Sequence, residues 1–320
     1  MREPIQLSAL GFGCAPVMGK VGKSQALRAM AEAFDLGVTH FDVARSYGFG
    51  QAEHVVGAFI KGRRDKVTVT TKFGVVPPRL SFRTKALIPV ARMVAKFMPH
   101  LKAKLKNKSG QLLAERNFDT AYARKCLDHS LTALATDYID IYLVHEPDAA
   151  LLKNPEELCR LLEDSVRAGK IRRWGFAYQA TQDYEWAGAL GGDVIQFEGN
   201  VETLPRCGAI LNDARQRIVT RPFMGGFAEK PALQTVLQDL QLTATVQELG
   251  ASLADVSLCL AHELAGQSGT VLCSMFSPQH IQKNVQALNQ FGSDPRMMKV
   301  VSAVIQATAR AMSKTKFHTQ

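Results

Sequence analysis

Apolar and polar positions follow two rhythms along the chain. Short runs rich in β-branched and aromatic residues read as buried strands: VTVTTKF (67–73), YIDIYLV (138–144), DVIQF (193–197) and TVLCSMF (270–276). Between such runs the spacing is helical. Over residues 24–37, Leu27, Met30, Ala31 and Phe34 recur at i, i+3, i+4 and i+7, and Gly37 supplies a stop. Over 118–134 the same stripe is partly repeated by Tyr122, Cys126, His129, Leu131 and Leu134. Eight strand–helix steps result, with strands near 8–13, 40–43, 67–72, 139–145, 172–177, 194–198, 217–222 and 270–274. Strands separated by helices pair in parallel through right-handed crossovers. Eight of them predict an α/β fold, a single (β/α)8 TIM barrel over 1–320 with chemistry at the C-terminal ends of its strands. A helical period over 297–312 predicts a C-terminal helix inside a tail at 293–320. Trp174 falls inside the fifth strand and Trp186 in the helix expected after it.

Length agrees with this. A barrel takes about 250 residues, and 320 residues leave room for an insertion and the tail. With 46% hydrophobic and 21% charged residues, the chain supports a large core. No basic stretch runs into an apolar one at the start, and no run of 18 apolar residues occurs, so a cytoplasmic protein is expected. Six scattered cysteines without a Cys-x-x-Cys fit free thiols.

Charge is concentrated. The net charge is +10, and residues 75–114 hold nine Lys or Arg and no Asp or Glu. The basic character therefore belongs to one segment, which argues against a nucleic-acid partner. So does the presence of a single aromatic, Phe97, between Arg92 and Lys108. Residues 75–115 form a basic amphipathic insertion in the β3–α3 loop, with Val90, Val94, Phe97, Leu101 and Leu105 on one stripe and a bend at Pro99. Three uses are open: an extra helical hairpin on the barrel rim, a lid that attracts acidic substrates, or attachment of residues 84–108 to an anionic membrane surface or acidic partner.

Several familiar signatures are missing. After Leu10-Gly11-Phe12-Gly13 the third glycine of a dinucleotide fingerprint is replaced by Pro16. There is no His-Glu-x-x-His, no Gly-x-Ser-x-Gly and no P-loop, and no metal is expected. Four polar residues stand out instead. Asp42, Lys72 and His145 end the second, third and fourth strands, and Tyr47 follows Asp42 by five residues. Singly, Asp42 could cap a helix, Lys72 could be solvated, and Tyr47 and His145 could be packing residues. At neighbouring strand ends they suit one task. Lys72 is expected to lower the pKa of Tyr47, Asp42 to hold Lys72, and His145 to hydrogen-bond a substrate oxygen. Such a set can move a proton at a carbonyl or alcohol oxygen.

The chain resembles the aldo-keto reductase family. The resemblance is carried by LGFGCAPVMG (10–19), FDVARSYGFGQAEHVVG (41–57), TVTTKFG (68–74), LDHSLTALATDYIDIYLVHEPD (127–148), GKIRRWGFA (169–177) and SPQHIQKN (277–284). It implies an NAD(P)(H)-dependent oxidoreductase acting on a small carbonyl or alcohol substrate, with a catalytic tetrad of Asp42, Tyr47, Lys72 and His145. It also implies a cofactor site drawn from Gly13, Cys14, Asp42, Tyr178, Gln196, Arg221, Phe223, Met224, Ser274, Met275, His280 and Asn284. Departures from the family pattern lie at Ala177, Gly199, Ser274, Met275 and His280, where a hydroxyl, a stacking aromatic and phosphate-gripping side chains are common in the family. Phe197 or Phe223 would have to replace the aromatic, and Lys283 or Arg221 the phosphate grip. NADP(H) is placed ahead of NAD(H). The same departures leave an alternative: a barrel kept as a binding or regulatory subunit with little turnover.

Overall fold

The computed structural model describes residues 2–78, 115–150, 152–178, 190–224 and 231–316, without the side chains of residues 231 and 309–316. Eight parallel strands pair in chain order, and the eighth returns to the first. They are β1 (Leu10–Gly13), β2 (His40–Asp42), β3 (Thr68–Phe73), β4 (Ile139–His145), β5 (Ile171–Ala177), β6 (Val194–Glu198), β7 (Gln216–Thr220) and β8 (Thr270–Cys273). The closed sheet is the TIM barrel that the alternating pattern predicts. Around it run α1 (Lys23–Asp35), α2 (Ala52–Ile60), α3 (Thr120–Leu134), α4 (Pro155–Arg167), α5 (Pro231–Asp239), α6 (Thr243–Glu248), α7 (Leu253–Ala265), α8 (Pro278–Phe291) and α9 (Pro295–Lys316).

Local chemistry fixes several of these elements. Ser252 and Asp255 form a reciprocal cap at the start of α7: the Ser252 N–H donates to Asp255 Oδ2 at 2.8 Å and the Asp255 N–H to Ser252 Oγ at 3.3 Å. The helix α9 is longer than the period over 297–312 suggests. Met297, Val300, Val301 and Val304 are buried on its inner face, and it packs against α7 and the turn Leu204–Arg206. Trp174 is buried in β5, and its indole N–H donates to Glu163 Oε1 at 2.7 Å. Trp186 and residues 84–108 lie outside the described residues.

The N-terminal end of the barrel is stoppered by the chain itself. The Ile5 N–H donates to Gln216 Oε1 at 3.1 Å, and Gln216 Nε2 donates to the Ile5 carbonyl at 2.7 Å. Ile5 packs with Ile141, Leu143, Val194, Ile218 and Leu272. Arg2 reaches Asp193 at 2.9 Å and also pairs with Glu163.

At the opposite end, the base of the insertion is a short antiparallel neck. Val75 bridges Arg116, the Val76 N–H donates to the Glu115 carbonyl, and the Asn117 N–H to the Gly74 carbonyl, both at 2.8 Å. The neck presses on the end of β4. Gly74 has φ +119°, and a Cβ there would lie 3.0 Å from the His145 carbonyl oxygen and 2.5 Å from the Phe118 ring. All six cysteines are unbridged. Among the described residues no helix is long and apolar enough to cross a membrane, and no His, Cys, Asp and Glu cluster could hold a metal.

Candidate active site

Register brings the polar strand ends together. Asp42 is level with Gly13 on β1 and Thr70 on β3, and His145 is level with Ala177, which is level with Gln196. Lys72, one residue before the end of β3, is fully buried. Its Nζ donates to Asp42 Oδ1 at 2.5 Å and to the Val43 carbonyl at 3.0 Å. The other carboxylate oxygen, Oδ2, accepts from Gln196 Nε2 at 2.8 Å. Burial pushes the Asp42 carboxyl above its ordinary range, while the Lys72 ammonium and the two side-chain hydrogen bonds pull it back. A buried ion pair of this kind needs its remaining lone pairs satisfied, and Gln196 does so.

Tyr47 opens the short turn Tyr47–Gly50 after β2. Its ring stands nearly perpendicular to His145, with centroids 5.9 Å apart, and Lys72 Nζ lies 5.3 Å from its centroid. The phenol is held well above its usual pKa. Burial is the main cause, and the Asp42, Glu146 and Cys14 charges add to it. This reverses the expectation that Lys72 lowers that pKa. The reason is physical: desolvation of a buried phenolate outweighs what a nearby ammonium, already held by Asp42 at contact distance, could return. Tyr47 is therefore an O–H donor at neutral pH. His145 is likewise neutral: burial, then the Lys72 and Arg116 charges, bring its pKa down to about 3. Its Nδ1 is buried without a hydrogen-bond partner among the described residues.

These groups border a cavity of about 260 Å³, lined by Gly13, Ala15, Asp42, Tyr47, His145, Glu146, Ala177, Tyr178, Gln196, Glu198, Thr220, Arg221, Leu272 and Ser274. Two further carboxylates on its wall are paired: Glu146 with Arg116 at 2.6 Å and Glu198 with Arg221 at 2.9 Å. Glu146 and Arg221 both hold left-handed backbones, at φ 53° and 54°. Non-glycine residues occupy that region at a cost, and such strain gathers at functional sites. Sequence reasoning missed Glu146 and Glu198. Both lie at a strand's C-terminal end or just after it, so the rule that selected His145 would also have found them.

The aldo/keto reductase family model matches residues 9–305. The chain belongs to the aldo/keto reductase family. Aldo-keto reductase YhdN of Bacillus subtilis is 31% identical over 177 residues, which is 53% of this chain and 43% of that protein. The 6-dehydroglucose reductase of Novosphingobium aromaticivorans is 28% identical over 53% of this chain and 49% of its own length, so both matches span under half of the relative. The NADH-specific methylglyoxal reductase of Escherichia coli is 25% identical over 89% of this chain and 91% of its own. Among solved structures, an aldo-keto reductase from Bacillus halodurans in its holo form has TM-score 0.65 at 21% identity, covering 94% of this chain and 93% of that one. Likeness at that identity shows the fold.

Within this aldo/keto reductase the residues expected at the cofactor separate into groups. Gly13, Asp42, Tyr178, Gln196, Arg221 and Ser274 line the cavity. Cys14 and Met275 are buried in the core and do not line it, and the Cys14 thiol faces the Phe12 carbonyl at 3.8 Å. Phe223 and Met224 follow β7 and pack partly buried against the core. Asn284 is buried on α8, while His280 and Lys283 are exposed on the same helix. Phe197 is a core residue, leaving Tyr178 as the larger aromatic on the wall beside Tyr47. Gly199 admits no side chain: a Cβ there would lie 2.5 Å from Val219 Cγ1 and 3.2 Å from Leu264 Cδ1.

Proposed function

We propose that this chain is an NAD(P)(H)-dependent oxidoreductase that interconverts a carbonyl and an alcohol, with Tyr47 as proton donor in reduction and acceptor in oxidation. The observation that carries this reading is the meeting of a neutral phenol, a neutral imidazole and a sealed ammonium–carboxylate pair on one cavity. A bound nicotinamide supplies or accepts the hydride. The chain does the rest. A carbonyl oxygen placed between Tyr47 and His145 accepts hydrogen bonds from both and is polarised. As the carbon receives the hydride pair, the π electrons of the C=O move onto oxygen, and oxygen takes the Tyr47 proton. The phenolate left behind faces the Lys72 ammonium, which Asp42 and the Val43 carbonyl hold in place. Solvent returns the proton. Oxidation of an alcohol runs the same path backwards.

The donor set suits a dinucleotide. Gln196 and Tyr178 line the wall beside the tetrad, Ser274 carries a hydroxyl at the end of β8, and Arg221 brings a cation to the same cavity. His280, Lys283 and Asn284 on α8 extend the set. The cations Arg221 and Lys283, with His280 beside Lys283 on the same helix, favour NADP(H) over NAD(H). The printed names of relatives include both kinds, an NADP(+) aldo-keto reductase of Schizosaccharomyces pombe and the NADH-specific enzyme of Escherichia coli. The substrate is a small carbonyl or alcohol compound, and the setting is cytoplasmic.

Fluorescence titration with NADPH and NADH, beside turnover of a panel of aldehydes and ketones, tests the reading. Wild type should bind NADPH more tightly and turn over at least one carbonyl. Tyr47→Phe should keep that binding and lose about 10²–10⁴-fold in kcat. Absence of binding by both nucleotides in a folded sample would favour the barrel as a binding or regulatory subunit.

A further inference from the structure

Three carboxylates line the cavity, and each is matched by one cation: Asp42 by Lys72, Glu146 by Arg116 and Glu198 by Arg221. The pairs differ in how they are held. Lys72 is sealed from solvent, and Arg116 is half-buried. The Arg221 side chain is 57% exposed, against 16% for Glu198, and the two meet through one contact, Nη1 to Oε1 at 2.9 Å.

This last pair bridges the ends of β6 and β7 on the wall shared with Gln196 and Ser274. The backbone that carries it is held independently of the ion pair. Arg221 is held left-handed at φ 54°, and its carbonyl accepts from Asn200 Nδ2 and from the Met224 N–H, both at 3.1 Å. The Gly199 N–H donates to the Thr220 carbonyl at 3.1 Å, which fixes the two strand ends together. The backbone thus anchors the base of the Arg221 side chain at the cavity, and Glu198 meets its tip.

An exposed one-point ion pair contributes little. A guanidinium on a phosphate makes shorter, charge-assisted and often paired hydrogen bonds. A dinucleotide entering this cavity offers that exchange. We propose that Glu198 is an internal counter-ion which a phosphate of the dinucleotide displaces: Arg221 leaves Glu198 for the phosphate, and Glu198 sets how tightly the nucleotide is held. The proposal rests on the NAD(P)(H) reading. The carboxylate competes for Arg221 before binding and repels the phosphate after it. With Glu198 present the cavity wall is neutral at that point, and nucleotide affinity is held down.

The test is a double-mutant cycle read by nucleotide fluorescence at fixed salt, on the full chain, with thermal unfolding to confirm that each variant is folded. Glu198→Gln should tighten NADPH binding by about three- to tenfold, and Arg221→Gln should weaken it by about tenfold and flatten its dependence on salt. In the Arg221→Gln background, Glu198→Gln should recover much less. NADPH and NADH arms distinguish the phosphates. Equal effects on both place Arg221 on the pyrophosphate, and an effect on NADPH alone places it on the 2′-phosphate. A Glu198→Gln variant that binds both nucleotides as wild type does overturns the proposal while leaving the oxidoreductase reading intact. So does a gain of equal size in both backgrounds, which would be plain repulsion. Failure of wild type to bind either nucleotide overturns both.

Discussion

Gln196 grips Asp42 from β6, on the other side of the barrel, with Nε2 2.8 Å from Oδ2, while Lys72 takes Oδ1. Each oxygen of the carboxylate has its own donor, so Asp42 cannot rotate away from Lys72 without leaving a buried donor unmatched. That arrangement fixes the ammonium beneath the Tyr47 ring.

The first consequence concerns stability. Lys72→Met leaves Asp42 buried without its cation and should cost about 3–5 kcal/mol. The double variant Lys72→Met with Asp42→Leu removes both charges and should regain most of that loss without regaining turnover. Urea unfolding with parallel kinetics checks this. Equal stability of the single and double variants would mean that the pair is not sealed.

Histidine protonation sets the acid limit. His40, hydrogen-bonded to Thr68 and Thr70, and His145 both have pKa values brought down to about 3 by burial, from 6.5. Below pH 6.5 the unfolded chain therefore binds more protons than the folded one. Stability is fully present above pH 6.5 and falls as pH drops toward 3. His145→Gln should make the dependence of unfolding free energy on pH shallower near pH 5 by about 1.4 kcal/mol per pH unit, the value for one proton. An unchanged slope would show that His145 titrates in the folded state.

Glu146 reaches Tyr47 through its charge. Its carboxylate helps to hold the phenol above its usual pKa, after burial and Asp42. Removing that charge in Glu146→Gln should move the basic limb of the alcohol-oxidation pH profile to lower pH. A profile that stays in place would show that burial and Asp42 alone set the phenol. The substitution also removes the carboxylate that Arg116 pairs with at 2.6 Å.

Gly199 is a packing position. In Gly199→Ala the new methyl meets Val219 Cγ1 at 2.5 Å, and overpacking of this kind costs about 1–3 kcal/mol. Thermal unfolding reads the loss. A variant as stable as wild type would mean that Val219 and Leu264 yield freely.

The barrel was legible because each strand is a short apolar run and each helix a 3.6-residue stripe, two patterns that do not mimic each other. β4 and β6 sit where the apolar runs put them. β7 ends at Thr220 rather than 222, because Arg221 turns left-handed and gives its carbonyl to Asn200. That turn depends on a side chain 21 residues earlier in the chain, and no local pattern encodes it. The four polar groups of the site were legible because the chemistry of a TIM barrel lies at strand ends. The protonation of Tyr47 was not. It depends first on how far the ring is buried and then on the Asp42, Glu146 and Cys14 charges around it, which the residue types alone do not state. The ion pairs of Glu146 with Arg116 and of Glu198 with Arg221 likewise emerged only with the loops in place. Cys14 differs again: its place in the first strand–helix turn singles it out, and its thiol faces the Phe12 carbonyl inside the core.

The stopper at the N-terminal end has a consequence for how this barrel tolerates change. Ile5 and Gln216 sit at the end of the barrel away from Tyr47. Substitutions there alter how much folded protein a cell retains, since abundance follows small losses of stability. Of the residues that line the cavity at the other end, Ala177 and Leu272 pack in the same cluster as Ile5. Dosage is written at one end of the barrel and the cavity at the other, with Ala177 and Leu272 shared between the two.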